Sequence, residues 1–446
     1  MPNNDPHDAS LDVKVDVAEA DPISEPPPLV IVEGFLGGFG TQTRWGDFQN
    51  HWHEDSVAGS SKQRRRAIFV SAGPVSSLHD RACEIFYALV GGTIDYGEEH
   101  AAEHGHASRY GRTYESGLYS EWSKDRPLHF LGHSFGGPTV IKLQWLLKNG
   151  FFGEAYGPDM ILSVNTVSSP FRGTTIVYLL GERVDAAPEV RDWSVGSLIS
   201  KVVHLVSYFA PWTAAYMDFH TESRHFSYEK MSFWSFLKVM WKSEWGTSRD
   251  IAPYDVTYAS MDEREAEGEG KVNPNTYYRS YAATWSSMQN GKFQPPEKDF
   301  WDEPVLYYYS PSMAAFDFSV LRPVPSFVEA MGDKLKPDVE GSEMYRENDG
   351  VVPLFSQFHS YPCKQTTCEH FMHADITKPP ADEDATDTTK SKILPEAGKW
   401  HVYELRESHH GTIAPTWRDT PRQRGFWKEL GQWLRDVDEA SHQHRR

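Results

Sequence analysis

Short apolar runs closed by glycine alternate, from Leu29 onward, with stretches whose apolar residues recur every three or four positions. The first run, LVIVEGFLGGFG, suits a buried strand that enters a loop with an open backbone, and AIFVSAG at 67–73 is a second of the same kind. Residues 76–90 predict a helix with Ser76 or Ser77 as N-cap and Ala82, Ile85, Phe86 and Leu89 on its apolar face. Residues 128–131 read as a strand, 140–147 as a helix and 160–170 as a further strand. Strands alternating with helices predict an α/β fold, a mostly parallel central sheet covered by helices on both faces.

Three stretches break this pattern. Residues 1–27 carry seven acids against Lys14 alone and run into Pro26, Pro27 and Pro28, a composition that predicts a disordered acidic tail. Between about 178 and 248, Leu198, Val202, Leu205 and Phe209 recur at helical spacing, and Phe233, Trp234, Phe236, Leu237, Met240 and Trp241 crowd together, so an inserted pair of amphipathic helices is expected. Residues of about 374–396 are polar and proline-bearing and predict a surface loop. The remainder, 28–440, is expected to form one elaborated domain.

Charge and cysteine usage narrow the function. Sixty-three acids against 44 bases give a formal charge of -19, which excludes the basic footprint a nucleic-acid partner needs. Cys83, Cys363 and Cys368 cannot build a disulfide framework, because at most one bridge can form among three. The first residues lack the basic and apolar regions of a secretory signal, and no apolar run of about 18 residues predicts a membrane span, so a cytoplasmic location is favoured over secretion.

Gly132-His133-Ser134-Phe135-Gly136 fits G-x-S-x-G with a strand before it and a helix after it, the context of a nucleophile elbow. A serine hydroxyl needs a histidine base and a carboxylate to orient that base, and in this arrangement they follow in the order Ser, Asp or Glu, His. Asp349, in a polar turn with Gly350 just before Val351 and Val352, is the best acid. His409 and His410, beyond the strand-like HVYEL and before the final helix FWKELGQWL, both qualify as the base. Elsewhere, GGTIDYGEEHAAEHGHASRYGRTY at 91–114 gathers His100, His104 and His106 among Asp95, Glu98, Glu99 and Glu103. Helical spacing alone nominates His100 with His104 as a metal pair.

The blocks GFLGGFG, SSLHDRACEIFYALVGGTIDYG, HAAEHGHASRYGRTY, GHSFGG, WGTSRDIAPYD, NPNTYYRSYA and ENDGVV together resemble the staphylococcal and thermoalkalophilic bacterial lipases within the α/β-hydrolases. The resemblance runs from about Pro28 to the last helix, weakest in the inserted helices and the 374–396 loop. It implies an α/β-hydrolase fold with an inserted helical lid and zinc-binding region. It places the nucleophile on Ser134, the acid on Asp349, the base on His410 and the oxyanion hole on the backbone N–H groups of Phe35 and Phe135. It also implies a structural zinc ion held by Asp80, His100, His106 and Asp250, with His104 outside the set.

Three positions depart from the family pattern. Glu33 stands where the family usually has histidine, bringing an acid close to the oxyanion loop. Thr412 and Trp417 stand at the acidic calcium ligands, so the family's calcium site is expected to be absent. The activity implied is hydrolysis of a carboxylic ester, foremost of acylglycerols at a lipid–water interface. An esterase or thioesterase acting on soluble acyl substrates, and a non-catalytic lipid-binding relative, are the alternatives, separable by chain-length profiling and by fluorophosphonate labelling.

Overall fold

The computed structural model of the protein describes residues 25–37, 45–46, 48–52, 65–191, 194–195, 197, 220, 248–301, 303–335, 341–371, 394–413 and 419–445. Eleven strands lie among them: β1 (Leu29–Val32), β2 (Ala67–Phe69), β3 (Gly92–Asp95), β4 (Tyr110–Tyr114), β5 (Leu128–His133), β6 (Ile161–Val167), β7 (Tyr277–Thr284), β8 (Ser287–Gln289), β9 (Lys292–Gln294), β10 (Cys368–Phe371) and β11 (Trp400–Arg406). Seven form one sheet in the order β10-β11-β7-β6-β5-β1-β2, and every pairing within it is parallel. Two antiparallel hairpins, β3 with β4 and β8 with β9, stand apart from it.

A parallel strand is covered on both faces, and β1 shows how four apolar residues meet that demand. Val30 and Val32 join one core with Phe130 and Val164, beneath the helices Leu78–Val90 and Gly136–Lys148. Leu29 and Ile31 point the other way, into a core with Leu131, Trp45 and Trp427. The terminal helix Pro421–Arg445 closes that second face with Phe426, Trp427, Leu430, Trp433, Leu434 and Val437, a stripe at helical spacing.

Among the inner strands of the sheet, β7 is the one hydropathy does not signal, because it carries Arg279 and Ser280 among its buried residues. Arg279 is accommodated by an ion pair with Glu429 and by the faces of Tyr403 and Trp433, 3.9 and 4.4 Å from its guanidinium carbon. The predicted helix at 76–90 begins at Leu78, with Ser77 as N-cap accepting from the Asp80 N–H at 3.1 Å. The run at 67–73 is strand only as far as Phe69. Most of the expected tail (1–24), the expected inserted helices (198–219 and 221–247) and most of the expected surface loop (374–393) lie outside the described residues. No described helix is long and apolar enough to cross a membrane.

The junction between β1 and the helix after β5 has no spare space. A Cβ on Gly136 would lie 2.1 Å from the Val32 carbonyl oxygen, whereas one on Gly157 would meet nothing within 4 Å. Gly136→Ala should therefore lower stability by roughly 1–3 kcal/mol or more, and Gly157→Ala by far less, as read by urea unfolding; equal effects would refute the close approach.

Candidate active site

The turn after β5 is set by three glycines and one serine. A Cβ on Gly132 would lie 2.5 Å from the Gly137 nitrogen, so the strand can reach the helix only if residue 132 has no side chain. Between them Ser134 adopts φ 54, a left-handed conformation that a non-glycine residue holds only where its surroundings enforce it. Its N–H donates to the Val167 carbonyl at 2.9 Å, tying the turn to β6. The serine side chain faces an apolar cavity of about 270 Å³ that is lined by Phe35, Phe135, Val177, Leu180, Leu306 and Val352 among others.

The loop leaving β1 packs onto the same serine. A Cβ on Gly34 would lie 2.6 Å from the Ser134 Cβ, so the Gly34–Phe35 backbone runs directly over the hydroxyl-bearing residue. Arg81, wholly buried, fixes that loop from behind: its guanidinium donates to the carbonyls of Glu33 and Gly73 and to the Thr139 hydroxyl. Burial pulls this guanidinium down to about 10, with Glu84 and Glu33 opposing the shift. Neither the Phe35 nor the Phe135 amide has an acceptor among the described residues. The carboxylate of Glu33 accepts from the Trp45 indole at 3.0 Å in a buried setting.

Asp349 and His410 meet directly, His410 Nδ1 lying 2.8 Å from Asp349 Oδ2. The acid is fully buried, and its Oδ1 accepts from the N–H groups of Val351 and Val352 at 2.9 and 2.7 Å, so its charge is met on both oxygens. The chain crosses back as well, with the His410 N–H donating to the Asp349 carbonyl at 2.9 Å. The His410 carbonyl in turn accepts from His133 Nε2 at 3.1 Å, which joins this pair to the residue preceding Ser134. His409 turns elsewhere: its Nδ1 accepts from the Gly411 N–H at 3.2 Å and its ring stands edge-on to Trp285. The two histidines that the sequence leaves equivalent are thus distinguished by their partners.

A second group of predicted residues also converges. Asp80 sits in the first turn of the helix Leu78–Val90, and Asp250 is brought beside it by the bridge between Ser76 and Ile251. The helix Glu98–Glu103 ends at His104, and Gly105 at φ +67 lets the His106 N–H return to the Ala101 carbonyl at 2.9 Å. That reversal carries His106 beside His100. The donor atoms of Asp80, His100, His106 and Asp250 all lie within 4.8 Å of one another, and His104 is not among them.

The geometry of this cluster suits a divalent cation. His100 Nε2 lies 3.2 Å from Asp80 and 3.3 Å from Asp250; His106 Nε2 lies 3.7 and 2.8 Å from the same two carboxylates. These separations bracket the edge of about 3.3 Å expected between donors held tetrahedrally at about 2.0–2.1 Å from zinc. Both acids are buried, so a positive charge belongs between them. Without a metal the proton supplies it: burial opposes protonation of His100, but hydrogen bonds to Asp250 and Asp80 outweigh it and raise the imidazole to about 9.

One cavity residue had no signal in the sequence pattern. Glu182 lines the same apolar cavity as Ser134, and burial alone pushes its carboxyl up to about 8. It is therefore neutral at pH 7, which keeps a charge out of the cavity wall. Of the two expected calcium-site positions, Thr412 accepts from the His409 N–H through its hydroxyl, and Trp417 lies outside the described residues.

Comparison with known proteins agrees with this architecture. Residues 25–300 match the family model described as "Lipase-like, C-terminal domain". Lipase 2 of Staphylococcus aureus is 26% identical over 352 residues, which cover 74% of this chain and 45% of that protein. The lipase of Staphylococcus hyicus is 29% identical over 277 residues, 57% of this chain and 40% of that protein. The chain thus spans about half or less of the length of the curated relatives it matches. The crystal structure of Staphylococcus hyicus lipase aligns with a TM-score of 0.65 at 21% identity, over 93% of this chain and 96% of that one, and shares its fold. Since the matched span exceeds half of the chain and contains both Ser134 and the Asp80 cluster, the protein belongs to the lipase-like C-terminal domain family.

Proposed function

We propose that the protein is a serine carboxylic ester hydrolase that cleaves triacylglycerols through an acyl-enzyme. The observation that carries this reading is Ser134, held at positive φ on the wall of an apolar cavity. Ser134 attacks the acyl carbonyl, His410 takes the hydroxyl proton and passes it to the departing alcohol, and Asp349 orients and stabilises the imidazolium. The amides of Phe35 and Phe135 receive the charge that develops on the carbonyl oxygen. Water, activated by the same histidine, then releases the fatty acid.

Two further features favour a lipid substrate. Val305 and Tyr308, three apart on the helix Pro304–Ala314, are 65% and 74% exposed, Trp301 before that helix is 85% exposed, and Val305 also lines the cavity, so exposed apolar side chains border its mouth. The relatives that match are named lipases. On this reading a zinc ion bound by Asp80, His100, His106 and Asp250 is structural: it neutralises two buried carboxylates and joins the helix Leu78–Val90 to the segments bearing the other ligands.

Ser134→Ala and His410→Ala should each fold normally and lose roughly 10⁴-fold or more of the ester hydrolysis rate, while His409→Ala loses little. The assay is p-nitrophenyl ester hydrolysis alongside emulsified long-chain triacylglycerol. Full activity in Ser134→Ala would sink the mechanism, and activity confined to soluble short-chain esters would replace the lipase reading with an esterase.

Loss of the zinc held by the Asp80 group should lower the melting temperature: His106→Ala should melt below the parent and lose less on chelation, whereas His104→Ala should behave like the parent. Added calcium should leave the melting temperature unchanged. Metal retained by His106→Ala but lost by His104→Ala would reverse the ligand assignment.

The neutral Glu182 carries a pH signature. Its folded-state pKa is raised from 4.5 to about 8, so its contribution to stability is fully present below pH 4.5 and is lost as pH rises through about 8. Glu182→Gln should therefore gain melting temperature over the parent from pH 4.5 upward, by a few degrees near pH 8. A difference between the two proteins that does not change with pH would show that this carboxyl titrates normally.

A further inference from the structure

Beyond the Asp80 group, the described residues bring together a second set of metal-capable side chains, His359, Cys363, Cys368 and His370, whose donor atoms all lie within 4.8 Å of one another. They come from three pieces of chain. His359 follows the short 3-10 helix Leu354–Gln357 that leaves the Asp349 turn, Cys363 opens the turn beyond it, and Cys368 and His370 sit two apart on β10, so both project from one face of that strand. We propose that these four residues bind a second zinc ion in a closed, structural Cys2His2 site.

The distances fit. Zinc held tetrahedrally with Zn–S near 2.3 Å and Zn–N near 2.05 Å requires a sulfur-to-nitrogen edge of about 3.6 Å. Cys363 Sγ lies 3.6 Å from His359 Nε2 and 3.4 Å from His370 Nε2. The tautomer fits as well. His359 Nδ1 lies 3.0 Å from the Tyr361 carbonyl and 3.3 Å from that of Ser360, and since carbonyls only accept, Nδ1 carries the proton. That leaves the Nε2 lone pair facing the thiol, the orientation a backbone carbonyl gives to a zinc-binding imidazole. Cys363 and Cys368 are free thiols rather than a bridge, which leaves both sulfurs available.

The donor set selects the metal. Two thiolates with two imidazoles and no carboxylate favour zinc over magnesium or calcium, and four protein ligands leave no open position for catalysis. Binding releases the two thiol protons to solvent, so the ion and two thiolates sum to zero charge at a partly exposed site. The gain is mechanical. Among the described residues β10 is the outermost strand of the sheet, four residues long and paired only with β11. A metal here would clamp it to the segment that descends from Asp349.

The test uses the full chain, purified under reductant, loaded with zinc and dialysed. Elemental analysis should give about two zinc equivalents, falling to about one in Cys363→Ser/Cys368→Ser and in His370→Ala, and returning to about two in His370→Cys. Cobalt substituted for zinc should give an intense near-ultraviolet thiolate-to-metal absorption, retained in His106→Ala and lost in Cys363→Ser/Cys368→Ser. This spectrum is read on the parent protein, so a variant that misfolds leaves the proposal testable. No thiolate absorption in the cobalt-loaded parent, an unchanged zinc content in the double variant, or a Cys363–Cys368 disulfide in freshly isolated protein would each overturn it. None of these readings depends on ester hydrolysis, so they stand or fall apart from the catalytic reading.

Discussion

The contact between the exit of β1 and the turn after β5 is the constraint on which the other features of the site depend. At Gly34, Gly132 and Gly136 even one added carbon would fall inside a neighbouring atom, so three backbone segments are in van der Waals contact without intervening side chains. Ser134 can hold a left-handed conformation only because this packing, and its hydrogen bond to Val167, fix the chain on either side of it. The buried Arg81 extends the constraint outward, linking the β1 exit, the segment after β2 and the helix after β5 through one guanidinium. A charged group is used here because a single planar fork can satisfy several carbonyl and hydroxyl acceptors at once.

Asp349 and Glu182, both buried, have very different surroundings. Asp349 receives two backbone N–H groups and an imidazole, so both of its oxygens have hydrogen-bond partners. Glu182, against the apolar wall, has only burial acting on it and holds its proton to about pH 8. The same functional group is met by hydrogen-bond donors in one place and by an apolar wall in the other.

How much of this was legible in the sequence depended on how local the signal was. The elbow around Ser134 was, because strand, glycines and helix adjoin in the chain. The helix was legible at 76–90 for the same reason, with its cap narrowed to Ser76 or Ser77, of which the structure uses Ser77. The choice between His409 and His410 was not, since it turns on which ring meets an acid some sixty residues away; the family resemblance supplied it. Spacing alone paired His100 with His104, and only the left-handed Gly105 explains why His106 lies beside His100 instead. β7 was hidden by Arg279, whose partners Glu429 and Trp433 belong to the last helix. The His359, Cys363, Cys368 and His370 group was invisible because its ligands come from a helix end, a turn and an edge strand, in a spacing that no common zinc motif shares.

The position of β7 also governs the order in which the molecule can be assembled. β6 has β5 on one side and waits for β7 on the other, and β7 begins roughly 110 residues further along the chain. At about 5–20 residues per second of synthesis, that edge is without its ladder for on the order of ten seconds. During that interval the β6 strand presents unpaired amides and carbonyls along one side to whatever else is nearby, including the same strand of a neighbouring nascent chain. Pairing along that side of β6 cannot begin until residue 277 has been made, so the interval before it is when an open sheet edge favours self-association.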